Sequence, residues 1–254
     1  MIKIIYGKTE KEASLSAANV MADVIKNKPD AVIGLATGSS PINMYKELIR
    51  MYEAGELSFK DVKSVNLDEY VGLSPEHDQS YAYFMHDNLF NHVDILEENT
   101  NLPSGLAEDP AAECKRYDAV IESMGGVDIQ LLGIGNNGHI GFNEPDTYFP
   151  KTTSLVDLTD STIDANARFF ASRDLVPTKA ISMGIGQIMN AKKVLLVAFG
   201  KGKADILEAS LFGKVTPEVP ASILQFFKGE VVICADEAAL SKIIEKHPEA
   251  VTIA

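Results

Sequence analysis

The sequence contains no tryptophan and two cysteines, and it lacks a long apolar run, an internal repeat and a low-complexity tract. Cys114 and Cys234 lie far apart without a CxxC spacing, which argues against a metal finger and a redox pair. No apolar run approaches the roughly 18 residues that a membrane-spanning helix needs. The N-terminal residues begin as a strand without a secretory signal, so we expect a protein of the reducing cytoplasm.

Basic residues are also scarce, because 23 Lys and Arg oppose 36 Asp and Glu and give a formal net charge of −13. Such a protein repels nucleic acid and anionic membranes, so we expect neither as a partner. Screening limits this repulsion to about 8 Å, and a local site can therefore still bind an anion. The sequence has no HExxH or similar metal-binding spacing and no GxSxG elbow. We therefore expect neither a metal site nor a serine hydrolase.

Short apolar runs alternate with amphipathic segments along the chain. Runs at 31–37, 62–70, 127–135, 180–186 and 193–200 are typical of strands buried on both faces of a parallel sheet. The segments between them include helical patterns at 11–28 and 42–57. We therefore predict a single α/β domain over residues 1–254, with a doubly wound, mostly parallel sheet and helices on both faces. Ligands of such sheets bind beyond the carboxyl ends of the strands.

The first informative strand end is the segment Thr37-Gly38-Ser39-Ser40-Pro41. Glycine permits a close backbone approach, either serine is expected to cap the following helix, and proline suits a first helical turn. Hydroxyls, free N–H groups and the helix dipole together favour a phosphate. A simple capping turn without a ligand is the alternative.

Two adjacent carboxylates, Asp68 and Glu69, lie at the end of the next run. Adjacent residues of an extended chain point to opposite faces, so we expect one carboxylate to face the crevice. A carboxylate in that place can act as a general base. A helix cap or an ion-pair partner is the alternative.

The segment 127–145 ends in a glycine-rich loop in which Gly133, Gly135 and Gly138 formally match the dinucleotide pattern GxGxxG. We reject that interpretation because Pro145 and the polar residues around it interrupt the helix that would carry a pyrophosphate. The loop should therefore serve a different purpose.

That loop concentrates Asn137, His139, Asn143 and Glu144 within eight residues. Histidine has the intrinsic pKa for proton transfer near neutrality, and a neighbouring carboxylate such as Glu144 supports its charged form. A histidine that only satisfies local backbone groups is the alternative.

Lys201 and Lys203 follow another strong strand, which ends at Gly200. In so acidic a protein they are candidate phosphate ligands, and Arg168 is a further candidate. A solvated turn would explain the lysines equally well.

Five motifs in order, LATGSSP, VNLDEYVGL, GIGNNGHIGFNEP, ANARFF and GKGKA, resemble the glucosamine-6-phosphate deaminase family. The resemblance extends from about residue 30 to 226. It implies a Rossmann-like core and the conversion of glucosamine 6-phosphate and water to fructose 6-phosphate and ammonia. It also implies that neither a metal nor an organic cofactor takes part.

The resemblance also implies roles for individual residues. Asp68 is the base for enolisation, and His139 is the base that opens the pyranose ring, with Asn137 and Glu144 beside it. The loop of Thr37, Gly38, Ser39 and Ser40 matches the phosphate-binding positions, as do Arg168 and Lys203. A segment at about 150–175 is a mobile lid that carries Arg168.

Two departures from the family pattern have consequences. Many relatives have aspartate where this chain has Asn137, so charge support for His139 must come from Glu144, and we expect Asn137 to hold the imidazole ring by hydrogen bonding. Allosteric hexameric members have basic residues where this chain has Ser154 and Val156. We therefore expect no activation by N-acetylglucosamine 6-phosphate.

Two other functions compete with the deaminase. A 6-phosphogluconolactonase shares the fold and a similar histidine loop, but has no need for the LDEY carboxylate. A non-catalytic sugar-phosphate sensor usually has a DNA-binding helix-turn-helix, which is not evident in this acidic sequence. The sequence does not decide between a monomer and a homo-oligomer.

Overall fold

The computed structural model describes residues 1–253, in which strands and helices alternate along most of the chain. The strands are β1 (Ile2–Gly7), β2 (Val32–Leu35), β3 (Lys63–Asn66), β4 (Asp68–Tyr70), β5 (Thr100–Asn101), β6 (Ile129–Leu132), β7 (Ser154–Asp157), β8 (Lys179–Ser182), β9 (Lys193–Ala198), β10 (Glu230–Asp236) and β11 (Val251–Ile253). The helices are α1 (Glu10–Asn27), α2 (Ile42–Glu53), α3 (Tyr81–Asn88), α4 (Pro110–Ser123), α5 (Asp160–Asn166), α6 (Ile185–Ile188), α7 (Ala204–Phe212) and α8 (Glu237–Lys246).

The main sheet has eight parallel strands in the order β11-β1-β10-β9-β6-β2-β3-β5. Helices pack around it, with α1 against β1 and β10 and α8 against β10. The predicted α/β class and mostly parallel sheet are confirmed. From β2 the chain continues to its neighbour β3 on one side, whereas β6 pairs with β2 on the other side. This divergence creates a crevice between the loops that follow β2 and β6.

A second, three-stranded antiparallel sheet has the order β4-β8-β7. The prediction that residues 62–70 form one strand of the parallel sheet is therefore wrong, as is the placement of the 180–186 run in that sheet. The chain crosses from the main sheet to the second sheet at Leu67. Its N–H donates to Leu35 O in the main sheet, and its carbonyl accepts the N–H of Met183, just after β8. An apolar run indicates burial but does not identify the neighbouring strand.

Helix α2 begins without the predicted serine cap. Its N-cap is Pro41, which already has helical dihedral angles (φ −80°, ψ −10°), and no side chain caps this helix. The chain has turned before the serines reach a capping position. The hydroxyls of Ser39 and Ser40 therefore do not cap α2. The N–H groups of its first turn receive no side-chain cap and can bind a ligand.

The core lies mainly between the large sheet and its helices, and Tyr45 and Leu48 of α2 are fully buried in it. A smaller cluster underlies the second sheet and contains Tyr70, Phe142, Leu158, Ile163, Val176 and Ala180. It joins α5 to the loop that carries His139. Among the helices described, none combines the length and the apolar character that a bilayer crossing requires.

Candidate active site

A cavity of about 800 Å³ opens beyond the carboxyl ends of four neighbouring strands, β9, β6, β2 and β3. These are the four strand ends that the sequence analysis singled out. Nine of the ten predicted site residues line the cavity: Thr37, Gly38, Ser39, Ser40, Asp68, Asn137, His139, Arg168 and Lys203. The tenth, Glu144, is not part of the wall but contacts His139.

One end of the cavity combines the loop after β2 with two cations. Gly38 has a φ of +89°, which a residue with a side chain rarely adopts, and it turns the loop towards the crevice. The Arg168 guanidinium lies 3.4 Å from Ser39 Oγ. Lys203 Nζ donates to Ile134 O at 2.8 Å and to Asn136 Oδ1 at 2.7 Å.

The charge of these two cations is not neutralised by the protein. Neither Arg168 nor Lys203 forms an ion pair with a carboxylate in the part of the chain that the structure describes. Burial, and then the neighbouring charge of Arg168, lower the pKa of Lys203. An ammonium has three donors, so at least one remains for a ligand. This end of the cavity therefore favours binding of an anion.

The carboxylate of Asp68 lies in the wall beside this anion site and is only 7% exposed. Burial, and then the nearby Glu69, raise the pKa of Asp68 to about 8. Within residues 1–253 we find no hydrogen bond to its carboxylate, so no donor offsets the cost of its burial. A carboxyl group with so high a pKa has the strength of a base that works near neutrality.

Glu69 points away from the cavity. Its carboxylate accepts the N–H groups of Tyr81 and Ala82 at 2.9 Å, at the start of α3, and that of Tyr70 at 2.8 Å. Burial raises the pKa of Glu69, although these three N–H groups oppose the shift. The expectation that one of the two adjacent carboxylates faces the crevice is confirmed.

Tyr81 is a cavity residue that sequence reasoning missed. By holding the first turn of α3, Glu69 places the Tyr81 side chain in the wall with Asp68, and its ring centroid lies 4.8 Å from that of Tyr70. Ser80, which caps α3 through Tyr83 N–H, was a sequence signal for the helix start. No signal placed that helix end beside Asp68.

The loop after β6 contains no helix before β7, in agreement with the rejected dinucleotide interpretation. A Cβ atom on Gly135 would lie 2.3 Å from His139 Cε1, so the imidazole packs where another residue would have its side chain. Further along, a Cβ atom on Gly141 would lie 3.5 Å from Asp68 Oδ2. The histidine loop thus passes directly beside the carboxylate from the other strand end.

The carboxylate of Glu144 supports the imidazole. Its Oε2 atom lies 3.4 Å from His139 Nδ1. That nitrogen is buried and has no hydrogen bond among the described residues. The other ring nitrogen, Nε2, is the one that can contact a ligand. Burial would raise the pKa of Glu144, but His139, the Thr162 hydroxyl and the Asn137 amide outweigh it and lower that pKa to about 2. Glu144 is therefore ionised across the physiological range and places a negative charge beside the imidazole.

The expected contact between Asn137 and the imidazole ring is not formed. Asn137 donates from Nδ2 to Glu144 Oε2 at 2.6 Å, and its Oδ1 atom accepts the backbone N–H of His139 at 3.2 Å. The carboxylate, and not the amide, therefore faces the ring. Asn143 is buried and donates to the carbonyls of Ile140 and Met183, which fixes the loop.

Both cysteines are buried and free. In the described part of the chain, no three His, Cys, Asp or Glu side chains converge in a way that would hold a metal ion.

Comparisons with known proteins relate this chain to one family. Residues 8–233 match the family described as glucosamine-6-phosphate isomerases/6-phosphogluconolactonase. A glucosamine-6-phosphate deaminase of Lachnoclostridium phytofermentans is 57% identical over 93% of this chain and 100% of that protein. One of Clostridium perfringens is 56% identical over 94% of this chain and 98% of its own length.

Solved structures show the same relationship. A structure described as a monomeric glucosamine-6-phosphate deaminase superposes with a TM-score of 0.92 at 46% identity and covers 94% of this chain and 99% of that one. A 6-phosphogluconolactonase from Trypanosoma cruzi has a TM-score of 0.77 at 18% identity, with 97% of each chain covered, and so shares the fold. This chain therefore belongs to the family of glucosamine-6-phosphate isomerases and 6-phosphogluconolactonases, and within it to the glucosamine-6-phosphate deaminases.

Proposed function

We propose that this cavity binds glucosamine 6-phosphate and converts it, with water, to fructose 6-phosphate and ammonia, without a metal or an organic cofactor. One observation carries the proposal: Asp68 and His139, from different strand ends, line one cavity together with Ser39, Arg168 and Lys203. That arrangement matches a hexose with a proton-transfer region and an anionic tail.

The phosphate binds at the loop of Thr37, Gly38, Ser39 and Ser40, with Arg168 and Lys203 as its cations. Hydroxyls, the N–H groups of the uncapped α2 and charge-assisted hydrogen bonds all favour a dianion there. Because this group takes no part in the chemistry, its binding energy serves to orient the sugar.

His139 opens the pyranose ring. The imidazole takes the proton from the C1 hydroxyl and returns one to the ring oxygen as the C1–O5 bond breaks, which leaves the C1 aldehyde. Glu144 stabilises the imidazolium that exists between these two transfers. Asn137 acts through the carboxylate and the loop backbone.

Asp68 moves a proton from C2 to C1 of the open-chain sugar. The aldehyde makes the C2 proton acidic, and Asp68 removes it. The C2 ammonium gives one proton to the C1 oxygen, so the product is an enolamine with a C1 hydroxyl. Asp68 then returns its proton to C1, which gives the protonated C2 imine. The raised pKa of Asp68 suits a group that must both accept and release this proton, and the substrate ammonium favours its ionised form on binding.

Water then adds to C2 of the imine. The resulting carbinolamine loses its protonated amino group as ammonia, and the C2 carbonyl of fructose 6-phosphate remains. His139 and Asp68 each return to the sugar the proton that they take from it. Both residues therefore end the reaction in their starting protonation states.

The segment at about 150–175 acts as a lid over the sugar. It contains α5 and Arg168, whose guanidinium reaches Ser39 across the cavity. Asn166 Nδ2 donates to Tyr70 Oη at 2.9 Å from the same segment. These contacts hold the closed position, and opening requires that they break.

We further propose that the chain is cytoplasmic and monomeric. The free, buried cysteines support a reducing compartment. The 46% identical relative is described as monomeric, which favours the same state here.

The test is turnover of glucosamine 6-phosphate in buffer with a metal chelator, followed by assays of ammonia and fructose 6-phosphate. We expect the two products in equal amounts, and we expect Asp68→Asn to lower kcat by roughly 10²–10⁴-fold. Hydrolysis of 6-phosphogluconolactone without deamination would instead support the lactonase. Binding of the sugar phosphate without any product would support the sensor.

A further inference from the structure

The Glu144 carboxylate joins two parts of the chain. Its Oε2 atom contacts His139 at 3.4 Å and Asn137 at 2.6 Å, both on its own loop. Its Oε1 atom accepts hydrogen bonds from the hydroxyls of Thr162, inside α5, and of Thr159, the cap of that helix. The two oxygens of one carboxylate therefore connect the loop of His139 to the segment that carries Arg168.

Thr162 is the better placed of the two threonines. The Thr159 hydroxyl lies 3.2 Å from Glu144 Oε1, but it also accepts the Thr162 N–H at 3.3 Å and lies 3.0 Å from the Ser161 hydroxyl. Its main role is to cap the helix. Thr162 is 5% exposed, and its hydroxyl donates to Glu144 Oε1.

We propose that Thr162 is a positioning residue for this reaction, whose hydroxyl holds the Glu144 carboxylate against His139 when α5 is docked on the cavity. The inference rests on the proposed function, because it gives Glu144 the task of supporting His139 during ring opening. Without that hydroxyl, Oε1 keeps the weaker contact with Thr159, and the carboxylate can turn to another rotamer.

A consequence concerns the order of events. Arg168 follows shortly after α5. Binding of the phosphate by Arg168 and the orientation of Glu144 therefore both depend on the docked position of α5. Binding of the phosphate therefore also completes the acid–base pair. A sugar without its phosphate should lose rate in the chemical steps as well as affinity.

The test replaces the hydroxyl at nearly constant volume. We expect Thr162→Val to lower kcat about 10-fold with KM changed by less than about two-fold, because the lost contact serves proton transfer and not binding. Thr162→Ser keeps the hydroxyl and should retain kcat within about two-fold.

Thr100→Val is the matched control. Thr100 lies on β5, outside the cavity and the lid segment, and its hydroxyl donates to Glu97 O at 2.8 Å. It should keep the wild-type kcat, so it measures the general cost of removing a threonine hydroxyl that forms a hydrogen bond. Thermal melting of each variant shows whether it folds, and if Thr162→Val does not, Thr162→Ala against Thr162→Ser gives the same comparison.

A double-mutant cycle with Glu144→Gln decides whether Thr162 acts through the carboxylate. In that background Thr162→Val should cause no further loss of kcat. An equal loss in both backgrounds, or a serine variant no better than valine, overturns the inference. If the wild type deaminates and Thr162→Val is fully active, the inference fails and the function stands, whereas an inactive, folded wild type contradicts the function itself.

Discussion

At the residue scale, the site places two carboxylates in opposite electrostatic conditions. Asp68 is buried without a hydrogen-bond donor among residues 1–253, and its pKa is raised to about 8. Glu144 accepts hydrogen bonds from Asn137 and Thr162 beside an imidazole, and its pKa is lowered to about 2. Environments that separate the pKa values of two acids in this way assign them different tasks. In the proposed mechanism, Asp68 exchanges a proton, and Glu144 remains a fixed negative charge.

The raised pKa of Asp68 makes protein stability depend on pH. The folded-state pKa lies above the unfolded-state value near 3.8, so this contribution is fully present below about pH 4 and is lost as the pH rises through about 8. Urea unfolding should therefore show a free energy of unfolding that falls between pH 5 and pH 8.

Asp68→Asn should flatten that dependence by a few kcal/mol, on the order expected for a shift of this size. The pKa of Glu69 is also raised by burial, so some slope of the same sign should remain. Identical slopes in the variant and the wild type would show that Asp68 does not titrate in this way.

His139→Gln should impair ring opening more than binding. Glutamine cannot exchange a proton near neutral pH, so we expect kcat to fall roughly 10²-fold. The inhibition constant of an open-chain sugar-alcohol phosphate should change by less than about two-fold, because that ligand needs no ring opening. Steady-state kinetics with this inhibitor separate the two effects, and a variant with the wild-type kcat would remove His139 from the mechanism.

At the element scale, α5 and the residues after it connect the ends of two strands, β2 and β4. Ile163 packs in the small cluster beneath the second sheet, which anchors this short helix. From there Arg168 reaches the loop after β2, and Asn166 reaches Tyr70 of β4. A seven-residue helix is marginal by itself, so its position depends on these contacts.

Arg168→Ala should weaken binding of the phosphate. A charge-assisted hydrogen bond of this kind corresponds to roughly a 10–100-fold rise in KM for glucosamine 6-phosphate. Arg173→Ala is the control, because Arg173 forms ion pairs with Asp160 and Asp164 in the same segment and does not line the cavity. Equal KM values for the two variants would exclude Arg168 as a phosphate ligand.

The strand ends of the site followed from the sequence, whereas the contacts between distant elements did not. Strand-end position marked Asp68 and His139, since apolar runs end where ligands bind. The switch of the chain at Leu67 into a second sheet was hidden, because burial alone does not specify a partner strand. Tyr81 and Thr162 were missed because each reaches the site through the tertiary docking of a short helix.

At the scale of the whole molecule, the parallel sheet explains why residues so far apart in sequence meet. Its neighbouring strands β9, β6, β2 and β3 end at one edge, and the residues shortly after them include Lys203, His139, Ser39 and Asp68. Function is therefore concentrated in loops that a rigid sheet holds in place.

At this scale we also expect that N-acetylglucosamine 6-phosphate does not activate the enzyme. Ser154 and Val156 lie on β7, where the resemblance places the basic residues of allosteric relatives, and neither side chain can bind a phosphate by charge. Initial rates should depend hyperbolically on glucosamine 6-phosphate, with or without N-acetylglucosamine 6-phosphate. A sigmoidal curve that this compound makes hyperbolic would contradict the expectation.

The most direct test of the account is a crystal structure with the sugar-alcohol phosphate bound, because it shows whether one hexose spans the cavity. We expect the phosphate among Ser39, Arg168 and Lys203, with C1 and C2 within hydrogen-bond reach of the Asp68 carboxylate and O5 near His139 Nε2. A ligand whose phosphate lies elsewhere, or whose first two carbons face away from Asp68, would contradict the account.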